Sequence, residues 1–472
     1  MTMQGFDVCV IGGGPSGCIT ALSLAIRGVH VCVIEKYVPS DARSFESLTD
    51  GIWPVLDAIG IRESFLKAAL LNFSPKIVLW ENAAEPDVNF FNNDVSMIVD
   101  RSRFNEFFLK SLQDFGVAVF RPAIVTRTKY STLGWEVDLS VYGKSSRISS
   151  RFVVDACGKS GFLPQKKTRN SPRTIALCGT LQNSDSSPMT YVEAFPQAWC
   201  WGSSLPNKGL TVMMFSDSDT FNLSSKREIE EKWRSALSQS KFFSKFSSCP
   251  LSQNLILRNA TAYCVADPLQ DSYIKVGDAS FSLDPLSSSG VEKAMHTGLT
   301  ASAVIRTILN KPARLDLCKK FYCDYQSETI AMHIFWATSS YAKVKRFDES
   351  PFWKSRSVSH IRAIAPRQND IEFGKVCDIK NDTFFQFSKN TKFEKRPCII
   401  DSMVCENTVL VHPNLARPIA FVSGVDVDRL FPRFTDRINA IGLLRYWAEN
   451  FPSVNGVRTA AWLLTNQVME VS

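Results

Sequence analysis

Two groups of residues in this chain have the types and spacing for chemistry on a large anionic ligand. The first is Gly12-Gly13-Gly14-Pro15-Ser16-Gly17, a G-x-G-x-x-G, followed 18 residues after Gly17 by Glu35. In such a loop Gly12 permits the tight turn, Gly14 lets the backbone approach a pyrophosphate, and Gly17 lets helix and strand pack closely. Pro15 and Ser16 open the helix whose free N–H groups and positive dipole end hold the phosphates. Glu35, with Lys36 beside it, is placed to accept hydrogen bonds from a ribose, and its charge repels a 2′-phosphate. The chemistry implied is dinucleotide binding. An ordinary glycine-rich turn is the bland alternative, and the surrounding elements decide between them.

The second group is Gly277-Asp278 and the run Asp284 to Val291, DPLSSSGV. An aspartate at a strand end can accept hydrogen bonds from the hydroxyls of a flavin's polyol chain. Pro285 stiffens the loop beyond it. The Ser289-Gly290-Val291 turn aims helix N-terminal N–H groups at the place where a flavin's pyrimidine edge becomes anionic on reduction. Taken alone, the same residues also read as an aspartate cap and a polar loop.

Both loops need a scaffold. The apolar run Val8 to Ile11 predicts a buried parallel strand ahead of the glycines. A helical pattern (Ile19, Leu22, Leu24, Ile26) stops at Gly28, and a second strand, Val29 to Ile34, delivers Glu35. Strand, loop, helix, strand and acid in that order make the motif informative. Further on, Asn105 is expected to start a helix over 106–115. Residues 76–80, 88–91, 117–120 and 135–141 read as extended, and Phe152 to Gly158 as a buried strand running into a turn. Between 172 and 262 the chain is rich in Ser and Thr, with strand-like pieces at 190–195 and 210–215 and a charged helix over 226–237. This predicts a sheet-bearing domain that roofs the ligand. A strand at 273–276 restores the first layer, followed by helices at 291–309, 316–342 and after Pro351. Helices over 437–448 and 456–468 belong to a small terminal module. The domains expected are 1–171 (lending strands from 70–95 to the roof), 172–262, 263–374 and 375–472.

At 472 residues the chain exceeds one typical core. Its formal charge of +8 is modest, and no long basic run is interleaved with aromatics, so nucleic-acid binding is not expected. Thirteen cysteines lack C-x-x-C or Cys/His metal spacing, which predicts no metal site and a reducing, cytoplasmic setting. The first apolar stretch has no basic region before it and is broken by glycines, so neither a signal peptide nor a membrane span is expected.

Three more pieces join the two groups: Arg43 with Glu46-Ser47, Asp100-Arg101, and Asp155-Ala156-x-Gly158. In this order the motifs resemble the FAD-dependent monooxygenases of the p-hydroxybenzoate-hydroxylase fold and their flavin-dependent halogenase relatives, over residues 5–360. The resemblance implies an α/β chain: a Rossmann-like FAD-binding domain, an inserted β-rich substrate domain and a small C-terminal, winged-helix-like domain. It implies FAD held non-covalently by Gly12, Gly14, Pro15, Ser16, Gly17, Glu35, Lys36, Arg43, Ser47, Arg101, Gly277, Asp278, Pro285, Ser289, Gly290 and Val291. Oxygen is then activated at the flavin, and the substrate is aromatic or otherwise electron-rich.

Two branches of that family differ in their motifs. Tryptophan halogenases carry W-x-W-x-I-P; here the stretch is Trp199-Cys200-Trp201-Gly202-Ser203-Ser204, with both tryptophans kept and serines in place of Ile and Pro. Halogenases also need a lysine, and Lys67 and Lys76 lie in the interval, neither of them assigned. The chain is more similar to the tryptophylquinone-maturation flavoproteins, through Asp284 to Val291, Glu349-Ser350-Pro351-Phe352-Trp353-Lys354-x-Arg356 and the added module. That branch implies hydroxylation of a tryptophan side chain in a partner protein, a quinoprotein oxidase or dehydrogenase subunit, on the way to a cysteine or lysine tryptophylquinone. Residues 375–472, with His412-Pro413 and Arg417-Pro418, then serve as a docking surface, or alternatively as a lid or oligomerisation element. Other readings are a halogenase, a small-molecule aromatic hydroxylase, or a non-enzymatic flavin-binding assembly chaperone for a quinoprotein. With no second G-x-G-x-x-G, electrons come from transiently bound NAD(P)H or from a separate flavin reductase. No acid or base reads as catalytic, because the oxygen chemistry belongs to the flavin; His296 reads as structural.

Overall fold

The computed structural model describes residues 4–37, 45–81, 95–182, 187–205, 209–221, 225–358, 383–415, 417–431 and 437–471. They divide into two compact units, one of residues 1–306 and 336–360, the other of residues 307–335 and 361–472.

The first unit is built on a sheet with β1 (Gln4–Ile11) at its centre. Strand β2 (Val31–Ile34) and strand β9 (Lys144–Asp155) flank it in parallel, with β6 (Ala118–Phe120) beyond β2 and β18 (Tyr273–Lys275) beyond β9. A short β17 (Leu269–Gln270) closes the edge, and β7 (Ala123–Ser131) and β8 (Gly134–Val141) extend β9 as an antiparallel hairpin. Every residue of β2 is buried, as a parallel strand covered on both faces requires. Helix α1 (Pro15–Ala25) is buried from Pro15 through Leu24, because further helices cover its outer side. Helix α6 (Gly290–Asn310) crosses it closely: Thr20 bonds the Gly298 carbonyl, and the Ser23 and Ser302 hydroxyls meet at 2.7 Å. Small residues at that crossing permit the approach.

The second sheet has eight strands in the order β15 (Ile256–Asn259), β11 (Thr174–Leu181), β14 (Gly209–Asp217), β13 (Ala198–Leu205), β12 (Met189–Phe195), β4 (Leu71–Leu79), β5 (Val95–Asp100) and β3 (Phe45–Leu48). Among the described residues, only its β12–β4 pairing is parallel. One face packs on α5 (Lys226–Ser238) through Trp233 and Leu237, which join Leu177, Leu210 and Met214. The opposite face carries Trp199, Trp201 and Phe215. It meets Tyr341 of α7 (Leu315–Ala342) and Trp353 of α8 (Pro351–Ser357). Short helices α2 (Ile52–Ala58) and α3 (Arg62–Lys67) follow β3, and a small third sheet joins β10 (Lys167–Arg169), β16 (Tyr263–Val265) and β19 (Phe281–Ser282).

Two helices differ from their expected starts; the one expected from 437 begins at Ala440, capped by Asn439. Helix α4 (Arg101–Asp114) begins before Asn105, because the Asp100 side chain caps it by accepting from the Ser102 and Arg103 amides. Asn105 is thereby moved from a helix end to the second turn. The extended segment expected at 88–91 lies outside the described residues.

In the second unit, Trp447 and Leu443 of helix Ala440–Asn450 and Leu463 of helix Gly456–Thr465 form a core with Phe385, Leu410, Leu430 and Phe431. Asn439 and Asn455 cap the two helices. His412 is buried, its Nδ1 accepting from the Asn414 amide. A hairpin of strands Lys392–Ile400 and Met403–Val411 turns at Asp401-Ser402. Among the described residues no helix is long and apolar enough to cross a membrane, and no cluster of three His, Cys, Asp or Glu could hold a metal.

Candidate functional site

The chain leaves β1 at Gly12, with φ of +112° and no room for a Cβ against the Ala156 carbonyl. A Cβ on Gly17 would strike the Gly12 carbonyl, so two glycines bring strand and helix together at the loop. Gly14 differs from both: nothing stands within 4 Å of where its Cβ would be, and it opens onto a cavity of about 980 Å³. Pro15 and Ser16 also line that cavity, at the amino end of α1. Glu35 arrives from β2 and grips the loop, one carboxylate oxygen accepting from the Gly13 amide and the other from the Tyr37 amide at 2.7 Å. A carboxylate has about four acceptor positions, so both oxygens keep capacity for ribose hydroxyls.

Asp155, fully buried at the end of β9, holds the next wall. It accepts from Lys275 Nζ at 2.7 Å, the Tyr273 hydroxyl at 2.9 Å, and the Phe162 and Cys157 amides. Loop 156–162, which lines the cavity through Ala156, Cys157, Gly158 and Phe162, is thus tied to a buried ion pair.

The second sequence group meets the same cavity. Asp278 lines it, its carboxylate 2.6 Å from Lys293 Nζ. Burial works to raise the Asp278 pKa, but Lys293, then Lys159 and Arg101, hold it below the usual carboxylate range. It stands as an ionised acceptor for hydroxyls. Pro285, Gly290 and Val291 line the cavity, and nothing lies within 4 Å of a Cβ on Gly290. Ser289 is turned away, buried with its hydroxyl on Ser287, and Ser288 takes its place on the wall. Gly277 is not on the wall; it packs on Ser16 behind it. Lys36, Ser47 and Arg101 all line the cavity, Arg101 paired with Glu46 at 2.9 Å. Gly17 lies under the loop, away from the cavity, and Arg43 lies outside the described residues.

The residues present fit FAD. Two open cradles, at Gly14 and Gly290, sit where a pyrophosphate and a flavin edge would approach backbone N–H groups. Asn105, on the cavity wall, has a buried Oδ1 without a partner, an acceptor that a ligand donor would satisfy. Sequence reading missed Asn105 as a site residue. Its signal was the i, i+4 spacing from Arg101, which places both on one face once the helix is known to start at Asp100.

The far wall is aromatic. Trp199, Trp201, Met213 and Phe215 line it from β13 and β14, with Trp199 stacked on Phe215 at 4.1 Å and 19°. The Trp199 indole N–H donates to the Tyr341 hydroxyl at 3.1 Å, and that hydroxyl donates to Asp284 at 3.0 Å. Burial raises the Asp284 pKa, against the Leu286 amide, Arg356 and Tyr341, which lower it. Lys67 is on the surface, paired with Glu63, and Lys76 sits in β4 in register with Thr190; neither lines the cavity. His296 bonds the Gly51 carbonyl at 2.8 Å.

Residues 5–245 match the model of the FAD binding domain family. The chain is 27% identical over 386 residues to the tryptophan 2-halogenase of Chondromyces crocatus, covering 75% of this chain and 71% of that protein. Among solved structures, the peptidyl tryptophan dihydroxylase QhpG, essential for tryptophylquinone cofactor biogenesis, matches with a TM-score of 0.76 and 20% identity. That match covers 98% of this chain and 99% of QhpG. The flavin-dependent halogenase CmlS matches with a TM-score of 0.74 and 17% identity over 100% of this chain and 96% of CmlS. At such identities the structures share their fold.

Proposed function

We propose that this chain, which belongs to the FAD-binding domain family and takes FAD as its cofactor, is a monooxygenase that hydroxylates a tryptophan side chain of a partner protein in tryptophylquinone biogenesis. The observation that carries the reading is the likeness to QhpG along nearly the whole of both chains, the second unit included. Serines 203 and 204, where tryptophan halogenases have Ile-Pro, lend further support.

Bound FAD would supply the reduction of oxygen and the transfer of one oxygen atom to an electron-rich ring. The protein supplies position and electrostatics. The amides at the start of α1 hold the pyrophosphate, Glu35 the ribose, and ionised Asp278 the polyol hydroxyls. The N–H groups at Gly290 and Val291 favour negative charge at the flavin edge. The Trp199–Phe215 stack and Trp201 offer ring faces and edges to an indole, and they exclude water from the reacting end. Electrons come from NAD(P)H at the surface or from a separate reductase, and the partner is a quinoprotein oxidase or dehydrogenase subunit.

Intact mass of such a subunit, co-expressed with this chain, tests the reading. A gain of one or two oxygen atoms on a tryptophan, absent with Gly14→Val, is the expected result. An unchanged subunit overturns it. The second reading, a halogenase, is favoured by Trp199 and Trp201 both lining the cavity; halide-dependent modification of a free aromatic, with the subunit unchanged, would establish that reading instead.

A further inference from the structure

The hairpin of the second unit sets two thiols face to face, far in sequence from the flavin motifs. Cys398 and Cys405 are directly opposed in the antiparallel register of strands Lys392–Ile400 and Met403–Val411. Opposed residues put their side chains on one face with Cα atoms about 4.5–5.5 Å apart, inside the roughly 4.4–6.8 Å that a disulfide spans. Both thiols are unpaired and partly exposed. Cross-strand cysteines can be mere packing residues, but Cys405 has a cation on it. Arg314 donates from Nη1 to the Cys405 sulfur at 3.2 Å and to the Val404 carbonyl at 3.2 Å, which fixes the guanidinium against the strand. The Cys398 thiol is pushed up to about 11, by burial first, then by Cys405 and Asp426. A third cysteine, Cys318, lies one turn beyond Arg314 but is completely buried, its thiol also pushed up to about 11 by burial.

We propose that Cys405 and Cys398 are a peroxide-oxidised dithiol, with Cys405 the attacking sulfur and Cys398 the resolving one. In the first step the Cys405 thiolate attacks hydrogen peroxide; an S–O bond forms, the O–O bond breaks, and hydroxide leaves to take up the proton Cys405 gave up. In the second, the Cys398 sulfur attacks the sulfenic sulfur; an S–S bond forms, and the hydroxyl departs with the Cys398 proton as water. Two thiols lose two electrons, and one peroxide becomes two waters. Arg314 neutralises the negative charge on the attacking sulfur, and the register sets the resolving thiol directly opposite it. Peroxide is the product of reduced flavin meeting oxygen with no substrate to oxygenate, so the oxidant arises on the same molecule.

The test exposes FAD-loaded, full-length protein to hydrogen peroxide, caps remaining thiols with iodoacetamide, and maps the peptides. A Cys398–Cys405 cross-link with loss of two hydrogens is expected. In Cys398→Ser, dimedone should label Cys405; in Cys405→Ser, Cys398 should stay reduced. Arg314→Met should slow the oxidation about tenfold or more with the cross-link position unchanged. Full alkylation of both thiols after peroxide overturns the proposal, as does a cross-link to Cys318 or oxidation of Cys398 in Cys405→Ser at the wild-type rate. Added peroxide bypasses the flavin, so a failure here is distinct from a failure of the oxygenase reading.

Discussion

A carboxylate with no water around it must be held by a cation and donors, or else take up a proton. Asp155 is held: burial works to raise its pKa, yet Lys275 and the Phe162 and Cys157 amides bring it below the usual range. Stability from such a depressed pKa is present above the ordinary carboxylate range and is lost as pH falls through the folded value. Lys275→Met removes the cation and leaves a buried charge, so unfolding at neutral pH should cost about 3–5 kcal/mol less than in wild type. Without Lys275 the folded Asp155 pKa rises above its unfolded value. The deficit should therefore shrink as pH is lowered from about 7 toward 4, which urea titrations at several pH values will show. A deficit independent of pH would mean that Asp155 is not the charge involved. Gly14 illustrates the opposite kind of position. Its φ of −75° suits any residue and its Cβ space is empty, so Gly14→Val should leave the apoprotein's unfolding unchanged while abolishing flavin absorbance. Asp278→Ala should weaken FAD binding without unfolding the chain, and unchanged flavin affinity would count against the polyol contact.

At the scale of elements, the Tyr341 hydroxyl joins the sheet that carries the aromatic wall to the Asp284–Gly290 loop. Tyr341, on α7, accepts from Trp199 of β13 and donates to Asp284, whose loop continues into the Gly290 turn. In Tyr341→Phe the buried indole N–H loses its partner, an expected cost of about 1–3 kcal/mol in thermal or denaturant unfolding. FAD affinity should be little changed, because no cofactor-facing group is lost, while substrate turnover falls as Trp199 leaves its stack on Phe215. Equal losses of FAD affinity and turnover would assign Tyr341 to the cofactor site instead. Most strands and helices were legible from apolar runs and turn residues, since those patterns are local. The start of α4 was not. Asp100 and Asn105 are both good caps, and only the strand β5 running up to Asp100 leaves the earlier one in extended backbone. That five-residue difference is what turned Asn105 into a wall residue.

At the scale of the whole molecule, a ligand that binds only the folded state stabilises it by mass action, about 2.7 kcal/mol at a hundredfold excess over Kd. Added FAD should raise the unfolding temperature of the apoprotein, and should not do so in Gly14→Val. The family, the fold class and the cofactor were readable in the amino-acid order, because the G-x-G-x-x-G turn, the acid after β2 and the Gly277-Asp278 strand end each impose backbone demands on consecutive residues. The sequence order also set the two tryptophans two positions apart, hence on one face of a strand. What it left open was everything that depends on distant residues meeting: Ser288 and not Ser289 on the wall, Gly277 behind it, Lys293 against Asp278, and Tyr341 between Trp199 and Asp284. The Lys293–Asp278 and Tyr341–Trp199 contacts join positions 15 and 142 residues apart. Only packing, which brings separate strands and helices to one cavity and chooses which side of each loop faces it, decides them.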